Sequence, residues 1–234
     1  MASSPPSKRA SPGVPRRFPR KHELAASAVL LSVVAFVASL AVAMARYPGG
    51  TWRDRSAPGH DFFGNFLCDL TSERALGGAL NPGARLATGG MLALSLGLAP
   101  FWWLVPRFFA DRLRLGSAVR SLGLASSLAL VAVPLMPSSR WGVLHAITIF
   151  VAGVPALAAS ILATRGLFAS PAAPRSARLF AAATLGIGAF DGALYSVHVA
   201  SGGAPPFALP ALQRLATIAL LGWITSTSVA VLRA

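Results

Sequence analysis

A lone carboxylate, Asp191, sits deep in the apolar run GIGAFDGALYSVHVA. A carboxylate at membrane depth is costly and marks either a functional group or an internal partner. Tyr195 and His198 follow at i+4 and i+7, on the same helix face. That face suits proton handling, as in a proton-coupled transporter. It suits equally a protonated or hydrogen-bonded Asp191 that locks helix packing. His145 opens another apolar run on the same side of the membrane, and Thr148, Ala152 and Pro155 continue its face. A histidine at a helix end also serves as an interfacial or hydrogen-bonded residue. His60, Asp61, Asn65 and Asp69 add further polar groups from the long stretch 46–85. Three histidines and a carboxylate are the donor set of a zinc site with an open position. His60, His145 and His198 are therefore the candidate metal ligands, and zinc is the one candidate cofactor. They come from three separate segments, with no HxxxH or HExxH spacing. No serine lies in a GxSxG elbow, and no phosphate loop or GxGxxG is present. Gly188 and Gly192 form a GxxxG, backed by Thr184 and Ser196 at the same step, which predicts close helix–helix association.

The stretch from Arg46 to Arg85 is the only long polar segment between apolar runs. It holds four of the seven acidic residues, five arginines, His60 and the sole cysteine, Cys68. A single cysteine leaves no intrachain disulfide. Tyr47-Pro48-Gly49-Gly50 and Asn81-Pro82-Gly83 read as turns. Between them, residues 61–76 read as an amphipathic helix. Phe62, Phe63, Phe66, Leu67 and Leu70 would form its apolar face, and Asn65, Asp69 and Glu73 the other. Asp61 would cap its start, and the helix would lie in the outer interface or over the mouth of a bundle.

The elements that must position these groups are membrane spans. Charged residues are 12% of the chain, about half the usual share for a soluble domain. Apolar runs at 25–45, 86–106, 121–137, 143–163, 179–200 and 212–232 approach the ~20 residues a spanning helix needs. They are continuous, whereas a barrel strand would alternate. The fold class is thus all-α, a six-helix integral membrane bundle over 25–234, preceded by a basic, disordered cytoplasmic tail at 1–24. The first run ends Ala43-Met44-Ala45, which fits a signal cleavage site, but it is longer than a signal core and reads as an uncleaved helix.

The net charge of +14 does not indicate nucleic acid, because the charge is spread over the tail and the links between spans rather than along one face. With the N-terminus inside, fourteen basic residues fall on the inner segments and seven on the outer ones. That bias predicts both termini in the cytoplasm of a bacterial-type inner membrane, with the 46–85 loop outside.

Two pieces carry a resemblance. One is YPGGTWRD…HDFFGNFLCDL…ERALGG…NPGAR leading into Met91, and the other is SLGLASSLALVAVPLMPSSRWGVLHAITIF. Both look like small six-helix bacterial membrane proteins catalogued as domain of unknown function 998, similar in layout to the Frag/DRAM membrane proteins. The resemblance implies six helices over most of 25–233, and such families bring no settled activity. A looser likeness is to the ceramidase-type membrane hydrolases, which use histidine-bound zinc, but their paired-histidine helix motif is absent here. Three functions stay open: an outer-face binder or sensor of a membrane lipid or small ligand, a metal-dependent membrane hydrolase, and a proton-coupled transporter using Asp191.

Overall fold

The computed structural model describes residues 19–202 and 208–234. Six helices in it are long and apolar enough to span a membrane. They are α1 (Arg20–Ala45), α2 (Ala84–Leu104), α3 (Leu113–Leu130), α6 (Val143–Phe168), α7 (Arg175–Ser201) and α8 (Leu209–Leu232). Two single-turn helices, α4 (Ala132–Leu135) and α5 (Ser138–Trp141), link α3 to α6. A 3-10 turn, Val105–Phe109, extends α2. Alternating direction puts the long 46–83 loop, the α3–α6 link and the α7–α8 link on one face, called here the loop face.

Residues 1–18 of the basic tail lie outside the described residues. In the described part of the stretch expected to be tail, 1–24, α1 already begins at Arg20. His22 is thereby carried into the fold, where it is buried. The third span also starts eight residues before the expected position. Its first two turns, Leu113 to Arg120, carry arginines on exposed or half-buried positions and hide the apolar pattern.

The helices form a ring. Each span packs on the next in chain order, and α8 closes on α1. Between lipid-bathed helices, close packing rather than hydrophobic burial selects the contacts. Glycines supply it. A Cβ at Gly97 would lie 2.4 Å from Ser32 Cβ, and one at Gly123 would lie 2.2 Å from the Trp102 ring. Gly222 meets Phe180 in the same way. The predicted stripe does not do this within the chain: a Cβ at Gly188 or Gly192 would meet no atom within 4 Å. In the half of the ring away from the loop, Phe101, Trp102 and Trp223 fill the axis, with ring centroids 5.1 to 5.7 Å apart.

The predicted amphipathic helix at 61–76 is not formed. Only a 3-10 turn, Leu67–Thr71, is helical there. The polar residues read as its outer face instead bond to loop backbone, the known competitor of helix for Asn and Asp. Asp61 Oδ1 accepts from the N–H groups of Phe63 and Gly64. Asn65 accepts from the Asp61 N–H and donates to the Gly50 carbonyl. Asp69 Oδ2 accepts from the Phe66 N–H. Gly64 and Asn65, poor helix formers, sit mid-segment and favour the same outcome. Phe62 and Phe63 consequently remain exposed, while Phe66 and Leu70 turn into the core.

Candidate functional site

The loop is an ordered cap. Gly50 holds φ at +92°, and a Cβ there would lie 2.1 Å from the Gly77 nitrogen, so only glycine fits. Asn81 is buried and donates to the carbonyls of Leu70 and Ser72, while its side-chain oxygen accepts from the Gly83 N–H. The Tyr47 hydroxyl accepts from the Leu76 N–H. From the bundle, α8 reaches up with two adjacent side chains. Gln213 accepts from the Leu67 N–H at 2.8 Å. Arg214, only 2% exposed, donates to the carbonyls of Phe62 and Asn65 at 2.8 and 2.9 Å.

Under this cap lies a cavity of about 520 Å³. Its wall includes Trp52, Cys68 and Asp69 of the loop, His145 of α6, Tyr195 and His198 of α7, and Gln213. Beneath it is a second cavity of about 350 Å³, lined from all six spanning helices and by Leu67 and Cys68 above. The two share Cys68, Ile149 and Gln213. The lower wall is almost wholly apolar, running from Met91 through Leu94 and Leu98 to Trp102. At 1.5 Å per helical residue, Met91 to Trp102 spans about 16 Å of depth. An upper chamber of ionisable and aromatic groups thus stands over a deep apolar one.

The electrostatics of the upper wall follow from burial. Asp69 has its carboxyl pushed up to about 6 by burial, against the pull of the Phe66 N–H and the Trp52 indole. The indole nitrogen lies 3.1 Å from one of its oxygens. The Cys68 thiol is pushed up to about 12 by burial and by the neighbouring Asp69 charge, so it stays protonated and is no nucleophile. His145 is 4% exposed, and its Nδ1 lies 2.6 Å from the Met136 carbonyl. A carbonyl only accepts, so Nδ1 carries the proton. In the neutral ring, Nε2 is then the acceptor.

Of the groups expected to converge, His145, Tyr195, His198 and Asp69 line the upper cavity. Tyr195 and His198 have ring centroids 6.0 Å apart. Asp191 lines neither cavity; its Oδ1 is buried with no partner among the described residues. His60, Asp61 and Asn65 are outside the lining too. His60 is instead edge-on to Tyr47 and 3.4 Å from the Arg214 guanidinium. Burial and that positive charge hold it near 4, so it stays neutral. The set His60, His145 and His198 is therefore not assembled. Among the described residues, no three His, Cys, Asp or Glu side chains are grouped to hold a metal ion. Arg214, Gln213, Trp52 and Asn81 were not singled out from the sequence. The signal for the first two was the polar pair Gln213-Arg214 at the start of an otherwise apolar span.

The fold and this two-part chamber define a multi-pass α-helical membrane protein. No family model, no curated protein and no solved structure matches the chain.

Proposed function

We propose that the protein binds an amphiphile, of which a membrane lipid is the leading candidate, with its polar head in the upper chamber and its apolar chain in the lower one. The observation that carries this reading is the pair of adjoining cavities, polar wall above and apolar wall below, that meet at Cys68, Ile149 and Gln213. Both volumes fall within the range of small-molecule sites, ~300–1,000 Å³. Trp52 offers a ring edge to a headgroup, Tyr195 and His198 offer ring edges and donors, and Asp69 and His145 offer acceptors. The loop face is the outer one of a bacterial-type inner membrane, and both termini are cytoplasmic. The two-to-one excess of basic residues on the other face supports that orientation.

The test is lipid retention by the purified full chain, read by native mass spectrometry and by extraction. Ile149→Trp fills the junction between the chambers, whereas Ile161→Trp alters an exposed position on the same helix. Retention by the wild type and the Ile161 variant, with loss in the Ile149 variant, is expected. Equal retention by all three would refute the reading. Orientation is checked in a Cys68→Ala background with an impermeant maleimide applied to whole cells. Leu80→Cys should be labelled and Ala172→Cys protected, and the reverse pattern inverts the topology.

A further inference from the structure

The face opposite the loop carries a cluster that the chamber does not use. His22, in the first turn of α1, stacks on Trp103 with centroids 4.7 Å apart and 22° between planes. The Arg107 guanidinium carbon lies over the same indole, 5.1 Å from its centroid. Arg120 of α3 lies between Gly116, where a Cβ would be 3.2 Å from Pro106, and Gly123, where one would meet the Trp102 ring, so it faces the end of α2 that carries Trp103 and Arg107. The positive charges of Arg107, Lys21 and Arg120 all act on His22. Arg120 acts in the same way on Arg107. The Nε atoms of Arg107 and Arg120 are both buried and have no hydrogen-bond partner among the described residues.

Such an arrangement is unfavourable alone. Like charges repel more strongly as water is excluded. A buried charged donor left unpaired loses hydration and gains nothing in return. Arginines that merely snorkel keep their nitrogens in water, whereas these have Nε closed off. A guanidinium presents its donors along one planar edge, which matches two oxygens of a phosphate group. The Arg107 guanidinium carbon stands over the Trp103 ring, and its Nε is a donor left without a partner among the described residues. The site lies at the end of the spans, on the face with the larger share of basic residues.

We propose that Arg107 and Arg120, over the Trp103–His22 stack, bind a phosphate group, supplied by the headgroup of an anionic phospholipid or by free phosphate. Two guanidinium forks neutralise it and satisfy both buried Nε donors.

The full chain is to be titrated in detergent with phosphatidylglycerol, phosphatidylcholine and, separately, inorganic phosphate, with occupancy read by native mass spectrometry. The wild type should hold one phosphatidylglycerol in preference to phosphatidylcholine. Arg107→Gln/Arg120→Gln should weaken that binding by roughly tenfold or more, the scale of a lost charged hydrogen bond. Arg112→Gln/Arg114→Gln changes two exposed arginines of the same face and should leave it unchanged. Arg107→Lys/Arg120→Lys keeps the charge without the planar fork and should fall between. Inorganic phosphate that binds alone and displaces the lipid assigns the site to the free anion. Lipid that phosphate does not displace assigns it to the headgroup. No phosphatidylglycerol preference and no phosphate binding in the wild type would overturn the proposal. So would equal losses in the two glutamine pairs, which would mean a general surface attraction.

Discussion

Arg214 Nη2 donates to the main-chain oxygen of Asn65 across 2.9 Å, joining residues 149 positions apart. This bond and its partner to Phe62 anchor the cap with a buried cation, and the oxygens that receive it are carbonyls. Arg214→Met should therefore free the loop without unfolding the bundle. Two hydrogen bonds from a charged donor are worth roughly 3 kcal/mol together. Hydrogen exchange across residues 61–71 should accelerate, with helix content unchanged by circular dichroism. Unchanged exchange would show that the anchor is dispensable.

The cap contains two groups with opposite pH behaviour. Asp69 is raised to about 6 from an ordinary 3.8, so its contribution is full below the ordinary value and is lost as pH rises through 6. His60 is lowered to about 4 from 6.5, so its contribution is kept above 6.5 and is lost as pH falls towards 4. Between those limits the two trends oppose, and the wild-type thermal midpoint should change little. Asp69→Asn should leave a midpoint that climbs with pH, and His60→Gln one that declines with pH. Parallel profiles in the two variants would contradict this assignment.

Cys68 sits where the two cavities meet, with its thiol held near 12. Alkylation by a small maleimide at pH 8 should be at least about tenfold slower than in the unfolded chain, since the thiolate is the reacting species. A bound amphiphile should slow it further. The rate measured before and after delipidation checks both statements.

Gly97 and Ser32 mark the closest approach of α1 and α2, with the added Cβ 2.4 Å from Ser32 Cβ. Gly97→Ala should destabilise the pair by about 1–3 kcal/mol, the usual range for overpacking. Ser32→Gly in the same chain should recover most of it. A double-mutant cycle of thermal midpoints measures the coupling, and additivity would place the two residues apart.

The spans were legible because a membrane helix must be long and nearly free of charge, and the runs at 25–45 and 143–163 contain no Asp, Glu, Lys or Arg. The start of α3 was not, because Arg114 and Arg120 lie where the helix leaves the apolar zone. The cap was misread at 61–76 because spacing alone cannot tell a helix face from a set of side chains bonded to backbone. Asn65 and Asp69 repeat with helical period, yet each closes a loop bond. His145, Tyr195 and His198 could be placed on one side of the membrane from span counting. Asp191 shares their helix face, but a face is not a cavity, and Asp191 lines neither part of the chamber. Arg214 is one of the seven basic residues on the outer segments and reads there only as a topology charge, since nothing local reveals that its partners lie near residue 62.

The ring in which α8 closes on α1 also bears on how the chain is made. Spans enter the membrane in the order of synthesis, so the wall has a gap until the last one arrives. Gln213 and Arg214 belong to that last span and bond to loop residues 146 to 152 positions earlier. The cap is therefore made early and waits, unlatched, through the synthesis of four more spans. Its docking and the enclosure of the chamber are one event, completed only when α8 is in place. A nascent chain stopped after α7 would present an open groove and a loose loop, a state that surveillance proteases can tell from the finished protein.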